Sequence, residues 1–67
     1  MVIVQDVKLI ESQKLAEVSL FADTKEEITN DIQLSIPDGY SIRPGSSAMT
    51  ASGEMAFRKS DGTWNWV

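Results

Sequence analysis

Residues 45–67 read GSSAMTASGEMAFRKSDGTWNWV, three short apolar runs parted by Ser52-Gly53 and by Ser60-Asp61-Gly62. That is how a three-stranded meander is written. Asp-Gly between apolar runs is the strongest short-range hairpin signal, because a type I′ turn needs φ > 0 at both central residues and these two types tolerate it best. With Asp61-Gly62 as a two-residue loop, Lys59 faces Trp64, Arg58 faces Asn65 and Phe57 faces Trp66. Met55, Phe57, Trp64 and Trp66 then share one face, the expected core, in which cross-strand aromatic pairs each contribute about 0.2–1 kcal/mol. The turn at Ser52-Gly53 would set Ala51 opposite Glu54 and Ala48 opposite Phe57, with Met49 and Ala56 looking the other way. A three-residue loop with Gly62 in a bulge is the alternative. It moves the pairing by one residue and exchanges the faces.

Working outward, residues 32–44 hold the alternating Ile32, Leu34 and Ile36, which predict a short strand. Turns follow at Pro37-Asp38-Gly39, with proline second, and at Arg43-Pro44-Gly45. Tyr40 and Ile42 lie in a brief extended piece between them. Residues 22–31 carry a helix start, in which Asp23 or Thr24 can cap the free amides and Glu26 and Glu27 sit near the positive end of the dipole. One short helix is expected there. Glu26, Glu27 and Asp31 could in principle serve a hard cation, but the loop glycine and alternating carboxylates of a calcium loop are missing, so a solvated face is the better reading.

Residues 1–21 predict an N-terminal hairpin. VIVQDVKLIE is rich in β-branched residues, and Ile3, Val7 and Leu9 suggest one buried face. Residues 14–21 fit either a helical stripe (Leu15, Val18, Phe21) or a strand (Ala16, Val18, Leu20). A turn at Ser12-Gln13 puts Lys8 opposite Glu17, Val7 opposite Val18 and Leu9 opposite Ala16, a matched set that favours the strand. The fold class is therefore mainly β (α+β): a single small domain with a small antiparallel sheet, a C-terminal meander and one short helix.

Composition narrows the chemistry. Sixty-seven residues without cysteine or histidine offer no disulfide, no thiolate or imidazole metal ligand, and no Ser-His-Asp or Cys-His nucleophile system. No cofactor is expected, and carboxylate-only catalysis has little room for a cleft in so small a chain. Six basic and ten acidic residues give a net charge of −4, which disfavours nucleic acid and anionic membrane as direct partners. Neither an apolar run of membrane-spanning length nor the pattern of a signal peptide is seen, which predicts synthesis in the cytoplasm. Small cores without staples often lean on oligomerisation, so the aromatic residues Tyr40, Phe57, Trp64 and Trp66 are candidates for a contact surface. Filling the domain's own core, or its rim for Tyr40, is the other reading of the same side chains.

The phrases Ala22-Asp23-Thr24-Lys25-Glu26-Glu27 and Gly45-Ser46-Ser47-Ala48-Met49-Thr50-Ala51, followed by Lys59-Ser60-Asp61-Gly62-Thr63-Trp64, resemble small proteins encoded in the virion-structure regions of tailed bacteriophages and prophages of Gram-positive bacteria. The resemblance covers residues 22–67. It implies a non-enzymatic virion component of capsid-associated or decoration type, made in the host cytoplasm, with other phage structural proteins and its own copies as partners. An acidic inhibitor of a host protein, working through Asp23, Glu26, Glu27 and Asp31, is the alternative.

Overall fold

Val, Ile and Leu crowd the first ten positions, and there the chain runs as β1 (Val2–Ile10), turns, and returns as β2 (Leu15–Ala22). The computed structural model describes every residue except Asn30, Gln33 and Ser35. Of residues 14–21, all but Lys14 are thus strand, and the charge and apolar matching holds: Lys8 pairs Glu17, Val7 pairs Val18 and Leu9 pairs Ala16. Residues 11–14 form the loop, with Gln13 and Lys14 donating to the carbonyls of Ile10 (3.2 Å) and Glu11 (3.3 Å) and Lys14 at φ 54°. An irregularity between Val4 and Asp6 changes the parity of β1. Ile3 therefore faces away from Val7 and Leu9, which corrects the single buried face expected for the three.

The remaining strands are β3 (Ser41–Ile42), β4 (Ser47–Thr50), β5 (Met55–Arg58) and β6 (Trp64–Trp66). They complete a sheet of order β1-β2-β4-β5-β6 with β3 also beside β2. The sheet is mixed rather than antiparallel, because β2 runs parallel to both β3 and β4. Parallel neighbours need a crossover of a dozen or more residues, and the stretch between β2 and β3 supplies it. β3 takes the start of β2 and β4 takes its end. In the gap, the Arg43–Ser46 turn (Ser46 N–H to Arg43 O, 3.1 Å) has Pro44 second and Gly45 at φ 96°. The buried Ser46 hydroxyl accepts the Val18 amide at 3.0 Å, standing in for the missing ladder carbonyl.

Both hairpins of the meander close through three-residue loops. Thr50 and Glu54 bracket the first (Thr50 N–H to Glu54 O, 2.9 Å), and Lys59 and Thr63 the second (Lys59 N–H to Thr63 O, 2.7 Å). Gly53 and Gly62 take the left-handed position at φ 91° and 90°, where a side chain would be strained. The register consequently differs by one from the two-residue expectation: Ala48 pairs Ala56, Ser47 pairs Phe57, Arg58 pairs Trp64 and Ala56 pairs Trp66. Trp64 and Trp66 share a face with Ala48 and Ala56, while Met55 and Phe57 lie on the opposite face. The three-residue loop wins at Asp61 because the carboxylate accepts both the Thr63 amide (3.0 Å) and its hydroxyl (2.6 Å). Those bonds, the hydroxyl's first, hold the Asp61 carboxyl below its ordinary value.

Small side chains floor the core. Ala16, Ala22, Ala48 and Ala56 are buried with Val18 and Leu20 on one face of the sheet. Over them pack Ile28, with Leu34, Ile36 and Ile42 partly buried, and Trp64. The indole nitrogen of Trp64 donates to the Thr29 carbonyl at 3.0 Å, tying β6 to the covering segment. Among the described residues that segment holds one 3-10 turn, Lys25–Glu27, in place of the helix expected over 22–31. Glu27 turns back to accept the amides of Asp23 and Thr24, both at 3.1 Å. Ile28 then goes extended (φ −92°, ψ 97°) to reach the core, which ends the turn. The short strand expected over 32–36 falls partly on Gln33 and Ser35, outside the described residues. The next turn is closed by the Tyr40 amide on the Pro37 carbonyl at 3.2 Å, so proline is its first residue rather than its second.

Candidate functional site: the open face of the sheet

Side chains of directly paired residues share a face, so the register defines what the face opposite the core presents. Ile3 pairs Phe21, Phe21 pairs Met49 and Met49 pairs Met55. The Val67 amide continues this line by donating to the Met55 carbonyl at 2.9 Å. An apolar row thus crosses the sheet from one edge to the other, roughly 19 Å at the usual strand spacing. Its members are open to solvent, from 39% at Met55 and 42% at Met49 to 48% at Ile3 and 87% at Val67, with Phe21 half-buried. Phe57, 41% exposed, stands beside the row.

The next row toward the β1–β2 loop is polar apart from Phe57: Asp6 pairs Ser19, Ser19 pairs Ser47, Ser47 pairs Phe57 and Phe57 pairs Asn65. Beyond it lie Lys8 and Glu17, with the Arg43 guanidinium 3.7 Å from the Glu17 carboxylate. The open face is therefore banded along the strands: the apolar row where β2 leaves the sheet, a mostly polar row, the charged Lys8 and Glu17, and then the half-buried Ile10 and Leu15 beside the β1–β2 loop. Large contiguous apolar patches rimmed by polar groups are the kind of surface through which proteins make contacts. Isolated exposed apolar residues would carry no such meaning.

The four aromatic candidates lie in three places. Phe57 is on the open face. Trp64 is buried in the domain's own core, and Trp66 is half-buried at its margin with Lys25 Nζ 5.1 Å over the ring. Tyr40 is half-buried beneath Lys14 Nζ (5.3 Å) and lines a shallow cleft of about 400 Å³ with Asp31, Leu34, Ile36 and Arg58. The row of Ile3, Phe21, Met49, Met55 and Val67 was not among the candidates, since it exists only once the register is known.

The Met1 ammonium contacts the carboxylates of Asp23 and Glu27, while Asp31 lies at the cleft. Among the described residues no three His, Cys, Asp or Glu side chains stand close enough to share a metal ion. Compared with protein-family models, curated proteins and solved structures, the chain matches none.

Proposed function

We propose that this chain is a small non-enzymatic structural subunit that seats the open face of its sheet on a larger protein assembly. The observation that carries this reading is the apolar row from Ile3 to Val67. The molecule measures 35 × 21 × 16 Å. A nine-residue strand at about 3.3 Å per residue and five strands at about 4.8 Å account for the two longer dimensions, so the sheet lies in the broad plane. That plane offers on the order of 700 Å² per partner, close to the roughly 800 Å² each side contributes to a standard protein–protein interface.

A tailed-phage particle is the assembly we propose, as a capsid-associated or decoration-type position. Its support is the resemblance carried by residues 22–67. The acidic-inhibitor reading draws less support, because it rests on size and charge alone. Purified particles from the producing host, analysed by mass spectrometry, test the proposal. We expect the chain in stoichiometric copy number, and loss of incorporation when Met49→Asp places a carboxylate in the middle of the row. Absence from particles overturns the virion assignment. Full incorporation of a folded Met49→Asp variant overturns the open face as the docking surface.

A further inference from the structure

β1 is the outer strand of the sheet, and the groups on its free edge follow from the bonding of β2. The carbonyls of Lys14, Ala16 and Ala22 accept from Ser41 (3.1 Å), Arg43 (2.8 Å) and Ala51 (3.0 Å), and the Val18 amide donates to Ser46 Oγ. Even-numbered residues of β2 thus aim their main-chain groups away from β1. The odd-numbered Leu15, Glu17 and Ser19 aim theirs at Ile10, Lys8 and Asp6, their partners in register. Val7 and Leu9 are left with amides and carbonyls pointing outward.

We propose that β1 pairs antiparallel with β1 of a second copy, about a twofold axis at Val7, joining two sheets edge to edge. Charge selects this register. About Val7, Asp6 lies opposite Lys8 of the partner subunit and Lys8 opposite Asp6 of the partner subunit, both pairs on the open face. Moving the axis by one residue either way sets Lys8 on Lys8 or Asp6 on Asp6, and like charges directly opposed are destabilising. Among the described residues neither Asp6 nor Lys8 takes part in an ion pair within the chain. On the core side the same pairing brings together the two Val7 side chains, each 40% exposed in the single chain. The irregularity between Val4 and Asp6 ends the ladder, which keeps it to residues 5–9. The interface is isologous and closed. It uses the edge of the sheet, leaves the open face free and stands apart from any role on a particle.

Sedimentation equilibrium over a concentration series tests the pairing. The unmodified chain is expected to show a monomer–dimer equilibrium. Asp6→Lys and Lys8→Asp, each alone, are expected to raise the dissociation constant at least about tenfold, since each sets like charges against each other. An equimolar mixture of the two variants is expected to dimerise again, because one strand then offers two ammonium groups and the other two carboxylates. Val7→Pro removes an outward amide that the hairpin does not use, a position where proline is tolerated, and is expected to abolish the dimer in a chain that still folds. A monomer at every concentration up to about 1 mM overturns the proposal. So does a dimer indifferent to both charge variants, or one lost on Met49→Asp, which would move the contact to the open face.

Discussion

The first strand and the C-terminal meander are held by opposite means. β1 is the longest strand, nine residues, and none of its side chains is buried. The meander's strands have only four, four and three residues, yet they bury Ala48, Thr50, Ala56 and Trp64. β1 is held by its ladder to β2, whereas the meander is held by side chains that reach the core and, through Trp64, the covering segment. Strand length therefore says little about where this fold keeps its stability: β2, eight residues long, buries four side chains, and β1, nine residues long, buries none.

Trp64→Ala probes the contrast hardest. Losing a buried indole costs about 3–5 kcal/mol, comparable to the whole stability of a domain of this size, so the variant is expected to be unfolded or nearly so by circular dichroism. Leu9→Ala on β1, where the side chain is 40% exposed, should cost less than about 2 kcal/mol in the same melt. Equal costs would break the comparison. Ser46→Ala sharpens it at the join between the two regions. The Val18 amide would be left buried without an acceptor, at about 1–3 kcal/mol, and hydrogen exchange at Val18 should accelerate while the β5–β6 amides keep their relative protection.

The smallest effect is acid sensitivity at the last turn. The Asp61 carboxyl is held below its ordinary value of 3.8 by the Thr63 hydroxyl and amide. A group depressed in the folded state stabilises above its unfolded pKa and ceases to do so as pH falls through the folded one. The loop is therefore expected to loosen below about pH 4, and Asp61→Asn should remove that part of the pH dependence. Thr63 amide shifts followed by NMR through the acid range would show it. An unchanged titration in the variant would assign the effect elsewhere.

Where residue chemistry is matched across a ribbon, the sequence can be read. Lys8 with Glu17 and Val7 with Val18 find each other because charge and apolarity both penalise a slip, so the first hairpin and its register as far as Asp6 were legible, whereas the irregularity that turns Ile3 to the other face was not. The three-strand character of residues 45–67 was legible too, from its glycine turns. Its register was not, because Asp-Gly reads alike in two- and three-residue loops, and the deciding signal was Thr63, whose amide and hydroxyl both bond Asp61. That one-residue difference moved Met55 and Phe57 from core to open face and left the rest of the apolar row unseen. The parallel join of β2 with β4 has no local signature, since a Ser hydroxyl in place of a ladder carbonyl cannot be inferred from sequence spacing. Residues 24–27 read as a helix start, and the pull of Ile28 toward the core is what stopped it after one turn.

The parallel join also has a kinetic consequence. Each ribbon consists of neighbours in sequence and can close on its own, hairpins forming in about 1–10 μs. Bringing β4 onto β2 requires the ends of residues 23–46 to meet first, an entropic cost incurred before any contact across the join repays it. Folding should thus proceed as two quick local events followed by a slower zippering, with the Val18–Ser46 bond among the last to form.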